Sequence, residues 1–250
     1  MIDHRTRTRL DRSDRERDAA RIRGICAEGE LAMVFQPIFE LDGGACLAFE
    51  ALTRFPGEPG VPSGLWFARA AEVGVGVELE LAAVRTALTH LDDLPEGVLL
   101  SLNVSPAAAV APGFEALIEP AAERVIIELT EHERVEEYAP LEAVLTRLRE
   151  RGATVAVDDV GAGFASLRHI LSLAPDIVKL DLSLTREIET DPGCRALTSA
   201  LVEFTDGIGA AIAAEGIETE GELALLRDLG VDQGQGYLLG YPLALEGQLQ

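Results

Sequence analysis

Eight short aliphatic and β-branched runs recur along this chain from about residue 30 to its end, and after the first two each is parted from the next by a helical stretch. They cover 33–39, 45–52, 98–104, 124–129, 153–157, 177–180, 210–214 and 236–239. Strands joined through helices run parallel, and a parallel sheet needs both faces covered. Eight such units predict an α/β fold closed as a (β/α)8 barrel of the TIM type, with a doubly wound open sheet as the alternative. The first joint departs from the pattern. Leu41-Asp42-Gly43-Gly44 is too short for a crossover, so the first strand is expected to pair antiparallel with the second through a tight hairpin.

Helix boundaries agree with that rhythm. Val135, Tyr138, Leu141, Val144, Leu145 and Leu148 recur at helical spacing with charge on the opposite face. Ser105-Pro106 and Asp191-Pro192 read as N-caps followed by proline, Thr219 with Glu222 as a capping box, and Gly152 and Gly230 as helix stops.

With 250 residues, 48% of them hydrophobic, the chain can bury the core of one barrel without a second domain. A net charge of −22 opposes a DNA or RNA polymer, or an anionic membrane, as partner, and leaves a single nucleotide held through metal ions. The charge is uneven: residues 1–23 hold eight arginines against five acids. That stretch reads as a separate polar segment, disordered or a frayed helix continuing toward Ala27, with the barrel over 24–250. Cys26, Cys46 and Cys194 are scattered and fit a reducing compartment, and His4, His90, His132 and His169 are too dispersed for a zinc site. With no membrane-length apolar run and no secretory start, a cytoplasmic location is expected.

Nearly every strand delivers an oxygen-bearing side chain at or near its C-terminal end: Glu50, Asn103, Glu128, Asp158 with Asp159, Asp181 and Glu215, with Gln235 leading the last strand. In a barrel these ends converge on one mouth, where catalytic groups gather. Carboxylates so placed repel each other, and an all-oxygen set favours hard cations such as Mg2+ or Mn2+. Asp158 and Asp159 can both reach the mouth only where the chain turns at the strand end; such a pair suits two metals about 3.5–4 Å apart, a device for displacement at phosphorus. Helix capping explains any one of these acids, Asp181 above all, but Ser105, Asp191 and Thr219 already fill caps. Lys179 is the sole lysine, every other basic position being arginine. Its compact ammonium suits a water or an oxyanion in a way the arginine fork does not.

Glu50-Ala51-Leu52 followed by Arg54 resembles the signature of the EAL-domain cyclic-di-GMP phosphodiesterases. Phe35-Gln36-Pro37-Ile38, Asn103-Val104-Ser105, Ile127-Glu128-Leu129-Thr130-Glu131, Asp158-Asp159-Val160-Gly161-Ala162-Gly163, Ile177-Val178-Lys179-Leu180-Asp181, Ala214-Glu215-Gly216-Ile217-Glu218 and Gly234-Gln235-Gly236-Tyr237 resemble successive family blocks in order. The resemblance implies a modified TIM barrel with an antiparallel first strand, and hydrolysis of cyclic di-GMP to linear pGpG. By position, Glu50, Asn103, Glu128 and Asp158 would hold one metal, and Asp158, Asp159 and Glu215 the other. Lys179, Glu215 and Glu50 would be catalytic, Lys179 holding the attacking water. Gln36, Leu52, Arg54, Asp181, Glu218 and Gln235 would line the ligand site, and Glu131 would brace the loop after the fifth strand. The resemblance also implies a homodimer; no sensor or cyclase-like domain accompanies the barrel in these residues, so the sequence does not give the regulatory input, and a separate regulatory or sensor protein is a candidate partner. Val160, Ala162 and Phe164 stand where the family usually has Phe, Thr and Tyr, changes that remove bulk or hydroxyls but no metal ligand. A catalytically silent receptor and a sugar- or carboxylate-metabolising barrel with one Mg2+ are the rival functions.

Overall fold

The computed structural model of the chain describes residues 12–129, 138–161 and 167–248. Eight strands close into one barrel: β1 (Ala32–Glu40), β2 (Cys46–Arg54), β3 (Leu99–Val104), β4 (Val125–Leu129), β5 (Thr154–Val160), β6 (Ile177–Leu180), β7 (Ala211–Ala214) and β8 (Gln233–Gly234). Closure excludes the open doubly wound sheet. β1 runs antiparallel to both β2 and β8, and every other neighbouring pair is parallel. The hairpin at Leu41–Gly44 reverses β1, as its length requires, and leaves the remaining strand ends at one mouth.

Helices surround the sheet: α1 (Arg12–Glu28), α2 (Ser63–Val73), α3 (Gly76–Leu88), α4 (Pro106–Ala109), α5 (Phe114–Ile118), α6 (Tyr138–Arg149), α7 (Leu167–Leu173), α8 (Leu182–Glu187), α9 (Pro192–Ile208), α10 (Glu220–Asp228) and α11 (Leu245–Gln248). The expected caps form: Ser105 accepts from Ala108 N, Asp191 from Gly193 N, and Thr219 and Glu222 close a capping box. α1 crosses the division expected at residues 23 and 24. It buries Ala19 and Ile22, donates from Arg15 to the Glu72 carbonyl, and pairs Asp18 with Arg69 and Arg23 with Glu78. Among the described residues no helix is long and apolar enough to cross a membrane.

The last strand departs from expectation. It is Gln233–Gly234, and the apolar run 236–239 forms a turn in which Leu239 N and Gly240 N both bond to the Gly236 carbonyl. Gly236 imposes this, since a Cβ there would lie 2.2 Å from both the N and the O of Ile217, so the chain bends where only glycine fits. Gln235 therefore follows the last strand instead of leading it.

Strand alternation splits the core in two. Outward-facing Phe49, Ile127, Val155, Val178 and Ile212 join the helices in one large cluster. Inward-facing Ile38, Ala48, Ile126, Ala156, Ile177 and Ala213 form a small separate plug inside the barrel. In each parallel strand the next inward residue toward the mouth is polar: Ala48 precedes Glu50, Ile126 Glu128, Ala156 Asp158, Ile177 Lys179 and Ala213 Glu215. In the reversed β1 the same neighbour of Ile38 is Gln36. A polar layer thus rests on an apolar floor.

Candidate metal centre at the barrel mouth

Lys179 is the hub of that polar layer. Its side chain is 3% exposed, and its Nζ lies 2.6 Å from Glu215 Oε1, 2.9 Å from Glu128 Oε2, 3.7 Å from Asp158 Oδ1 and 3.8 Å from Glu50 Oε2. Three carboxylates from β2, β4 and β5 and a fourth from the residue just past β7 therefore surround one ammonium. Burial opposes its charge, but Glu128, Glu215, Glu50 and Asp158 outweigh that effect and raise the lysine well above its ordinary range.

The carboxylates differ in what else they receive. Asn103 Nδ2 donates to Glu50 Oε1 at 2.7 Å, and Gln235 Nε2 to Glu50 Oε2 at 2.7 Å. Burial would raise Glu50, yet Lys179 and these two amides hold it below the usual carboxylate range. Glu128 is pushed up to about 7, by burial first and then by the Glu50 and Asp158 charges, against Lys179 and a Ser101 hydroxyl that donates to its Oε1 at 2.6 Å. Glu215 is pushed up to about 8, by burial first and then by Asp158 and Glu50, against Lys179. Close contact with Lys179 does not hold either down, because one ammonium cannot offset four acids. A cation entering the layer would relieve that excess.

Asp158 and Asp159 both belong to the mouth because β5 is irregular there. Its pairing with β6 shifts register between Val157 and Val160, and Asp159 has φ 58. A left-handed non-glycine residue costs on the order of 1–3 kcal/mol and persists where the surroundings enforce it, commonly at functional sites. Here it folds the Asp159 amide back onto Asp158 Oδ1 at 2.9 Å and brings oxygens of Asp158, Asp159 and Glu215 within 4.8 Å of one another. The turn anticipated at the strand end is this one. Gly216, with φ 68, reverses the chain just past Glu215.

The donors present fit a hard divalent cation. All are oxygens, and the buried Gln235 Oε1 has no hydrogen-bond partner in the described structure, so an oxygen lone pair is left for a ligand. Asn103 gives its amide nitrogen to Glu50, which leaves Oδ1 as its remaining donor atom.

The expected ligand residues are distributed more widely. Gln36 and Glu218 line a cavity of about 200 Å³ with Leu182, Arg186, Glu215 and Tyr237, next to the polar layer. Gln36 Nε2 donates to the Gly240 carbonyl at 3.1 Å, and exposed Glu218 pairs with Arg186 at 3.4 Å. Leu52 is half-buried on β2 opposite Val34. Arg54 is exposed and donates to the carbonyl of its neighbour Thr53 at 3.0 Å. Asp181 caps α8, accepting from the amide and hydroxyl of Ser183. Trp66 is buried and stacks on Phe55, so it packs α2 onto the barrel. Glu131, Ala162 and Phe164 lie outside the described residues.

Two contributors escape the inventory of strand-end acids. Ser101 sits two residues before Asn103 on the same inward face, and period-two alternation would have found it. Glu80 on α3 receives the Ser105 amide at 2.8 Å and the Ser105 hydroxyl at 3.1 Å. Nothing in its local sequence marks it, because the contact joins segments 25 residues apart.

Comparison with known proteins agrees with this geometry. Residues 19–242 match the family model described as the EAL domain. A cyclic di-GMP phosphodiesterase of Pseudomonas aeruginosa is 30% identical over 236 residues, covering 89% of this chain and 40% of that protein. The solved complex of the PaMucR phosphodiesterase with c-di-GMP superposes with a TM-score of 0.81 at 25% identity, covering 94% of this chain and 100% of that one. The Klebsiella pneumoniae protein BlrP1, in complex with manganese and the cyclic dinucleotide, gives 0.77 at 28% identity over 86% of this chain and 56% of that one. The chain spans 31%, 30% and 40% of the length of three curated relatives. With the family model spanning most of the barrel and the polar layer at its mouth, the chain belongs to the EAL domain family.

Proposed function

We propose that this chain hydrolyses cyclic di-GMP to linear pGpG in a reaction that depends on two divalent cations, Mg2+ or Mn2+. The observation that carries the proposal is a charge balance. Glu50, Glu128, Asp158, Asp159 and Glu215 bring five carboxylates to a mouth holding one ammonium, Lys179. With all five ionised, these described residues leave four negative charges, equal to the charge of two divalent cations. Glu50, Asn103, Glu128 and Asp158 would hold one, and Asp158, Asp159 and Glu215 the other; once bound, such ions polarise the phosphoryl oxygens and acidify water.

The chain's own residues then have defined tasks. Lys179 orients the attacking water and offsets charge on the phosphorus oxygens as the in-line transition state forms. The water oxygen bonds to phosphorus as the bond to the 3′ oxygen breaks, and the proton that the water gives up balances the one that the 3′ oxygen gains as it becomes the ribose hydroxyl. Glu215 and Glu128, 2.6 and 2.9 Å from Lys179 Nζ, set the direction of its N–H groups, while Glu50 and Glu215 share the Gln235 amide. Gln36, Leu52, Arg54, Asp181, Glu218 and Gln235 form the dinucleotide side of the site, where Arg54 would turn from the Thr53 carbonyl to a phosphate. A homodimer is part of the same reading, supported by Leu167 and Leu171, which lie exposed one turn apart on α7.

Purified protein incubated with cyclic di-GMP and Mn2+, with products separated by chromatography, tests the proposal. Linear pGpG in the wild type and none in Glu50→Ala supports it. Tight binding without product would make the chain a receptor, and neither binding nor product would exclude the dinucleotide.

A further inference from the structure

Glu80 stands outside the polar layer yet is tied to it through one turn of backbone. It projects from α3, half-buried, and each of its oxygens meets Ser105: Oε2 accepts the Ser105 amide at 2.8 Å and Oε1 the Ser105 hydroxyl at 3.1 Å. The hydroxyl accepts in turn from Ala108 N at 3.1 Å, so Ser105, 6% exposed, has its proton and a lone pair both assigned. Two bonds from one carboxylate fix the position of a residue and also its rotation.

Helix capping alone does not account for this brace. The helix that Ser105 opens, α4, has four residues, and its cap is already supplied by the serine hydroxyl. Gln would offer a single acceptor oxygen in place of two, so it cannot accept from the Ser105 amide and hydroxyl through separate oxygens. What the brace holds in place is the end of β3. Asn103 lies two residues before Ser105 and has its amide turned by the bond to Glu50, with Oδ1 as the remaining donor atom. A shift in the chain at Ser105 moves Asn103 Oδ1 relative to Glu50 and Glu128.

We infer that Glu80 is a positioning residue for the metal centre: by gripping Ser105 it presents Asn103 Oδ1 to the cation shared with Glu50, Glu128 and Asp158. The inference rests on the proposed cation centre. Outer partners that orient ligands commonly change metal affinity about 10–100-fold when removed, although this one acts at one remove through the backbone.

The test is a double-mutant cycle read by calorimetric titration of the full chain with Mn2+. Glu80→Gln is expected to weaken Mn2+ binding about ten-fold in the wild-type background and less than about two-fold in the Asn103→Ala background, because coupled residues are not additive. Ser105→Ala, a second variant in case Glu80→Gln folds poorly, is expected to show the same dependence on Asn103. A role in folding or in long-range charge would weaken binding equally in both backgrounds, and that result, like no weakening at all, overturns the inference. Wild-type protein that takes up no Mn2+ would overturn the cation centre itself; wild-type uptake with Glu80→Gln unchanged overturns only the role of Glu80.

Discussion

The barrel interior holds two layers built from the same strands, and they obey opposite rules. The floor, Ile38, Ala48, Ile126, Ala156, Ile177 and Ala213, is apolar and needs nothing but close packing. One inward step toward the mouth, Gln36, Glu50, Glu128, Asp158, Lys179 and Glu215 are mostly buried yet carry charge or polar atoms that packing cannot satisfy. The floor resembles any barrel core. The layer above it is stable only as a network, with one ammonium shared by four acids and two amides spent on Glu50. Polar groups crowded beyond their own neutralisation are a feature of sites that await a ligand, and an apolar floor keeps bulk water from relaxing that tension from below.

Substitutions one step apart on β6 separate the layers. Lys179→Met leaves four acids without their cation, and the metal-free protein should lose about 3–5 kcal/mol in denaturant unfolding together with nearly all turnover. A loss below about 1 kcal/mol would mean that the acids satisfy one another without it. Ile177→Ala, in the floor directly beneath, should lose about 2–4 kcal/mol through lost contacts and a cavity. Its Mn2+ affinity should stay within about two-fold of wild type, since packing and ligation lie in different layers; a larger change would join them.

The pH response should belong to the upper layer. Glu128 and Glu215, raised to about 7 and about 8, bind more protons folded than unfolded at neutral pH. Groups raised in the folded state stabilise it fully at acidic pH, and that contribution is lost as pH climbs through their folded values. Metal-free protein should therefore lose stability between pH 5 and about 8, with a slope of up to about 1.4 kcal/mol per pH unit for each proton released. Bound Mn2+ competes with those protons, so it should flatten the slope and bind more tightly as pH rises. Thermal unfolding across that range, with and without Mn2+, reads both effects, and equal slopes would contradict them. Smallest of all, Thr219→Ala removes the α10 capping box outside both layers and should lose about 1 kcal/mol with metal affinity unchanged.

Alternation made most of this legible. Because inward residues recur every second position, strand-end polar residues could be placed on one mouth, and Glu50, Asn103, Glu128, Asp158, Lys179 and Glu215 do converge. Contacts between distant segments were hidden. Glu80 meets Ser105 from a helix whose local pattern shows only one more acid, and Arg54 bends to a carbonyl that no periodicity selects. The last strand is not legible locally, because Tyr237, Leu238 and Leu239 look like a strand while the close approach of Gly236 to Ile217 is a tertiary constraint. Asp159 was expected to turn toward the mouth, but the strained φ that achieves it follows from the register shift against β6.

Electron paramagnetic resonance of the protein loaded with Mn2+ tests the central claim most directly. Two magnetically coupled Mn2+ ions per chain, at the roughly 3.5–4 Å spacing of paired-metal sites, are predicted for the wild type, with coupling lost in Asp158→Asn. An uncoupled single ion, or Mn2+ that stays coupled in Asp158→Asn, would contradict the reading of the polar layer as a two-cation centre.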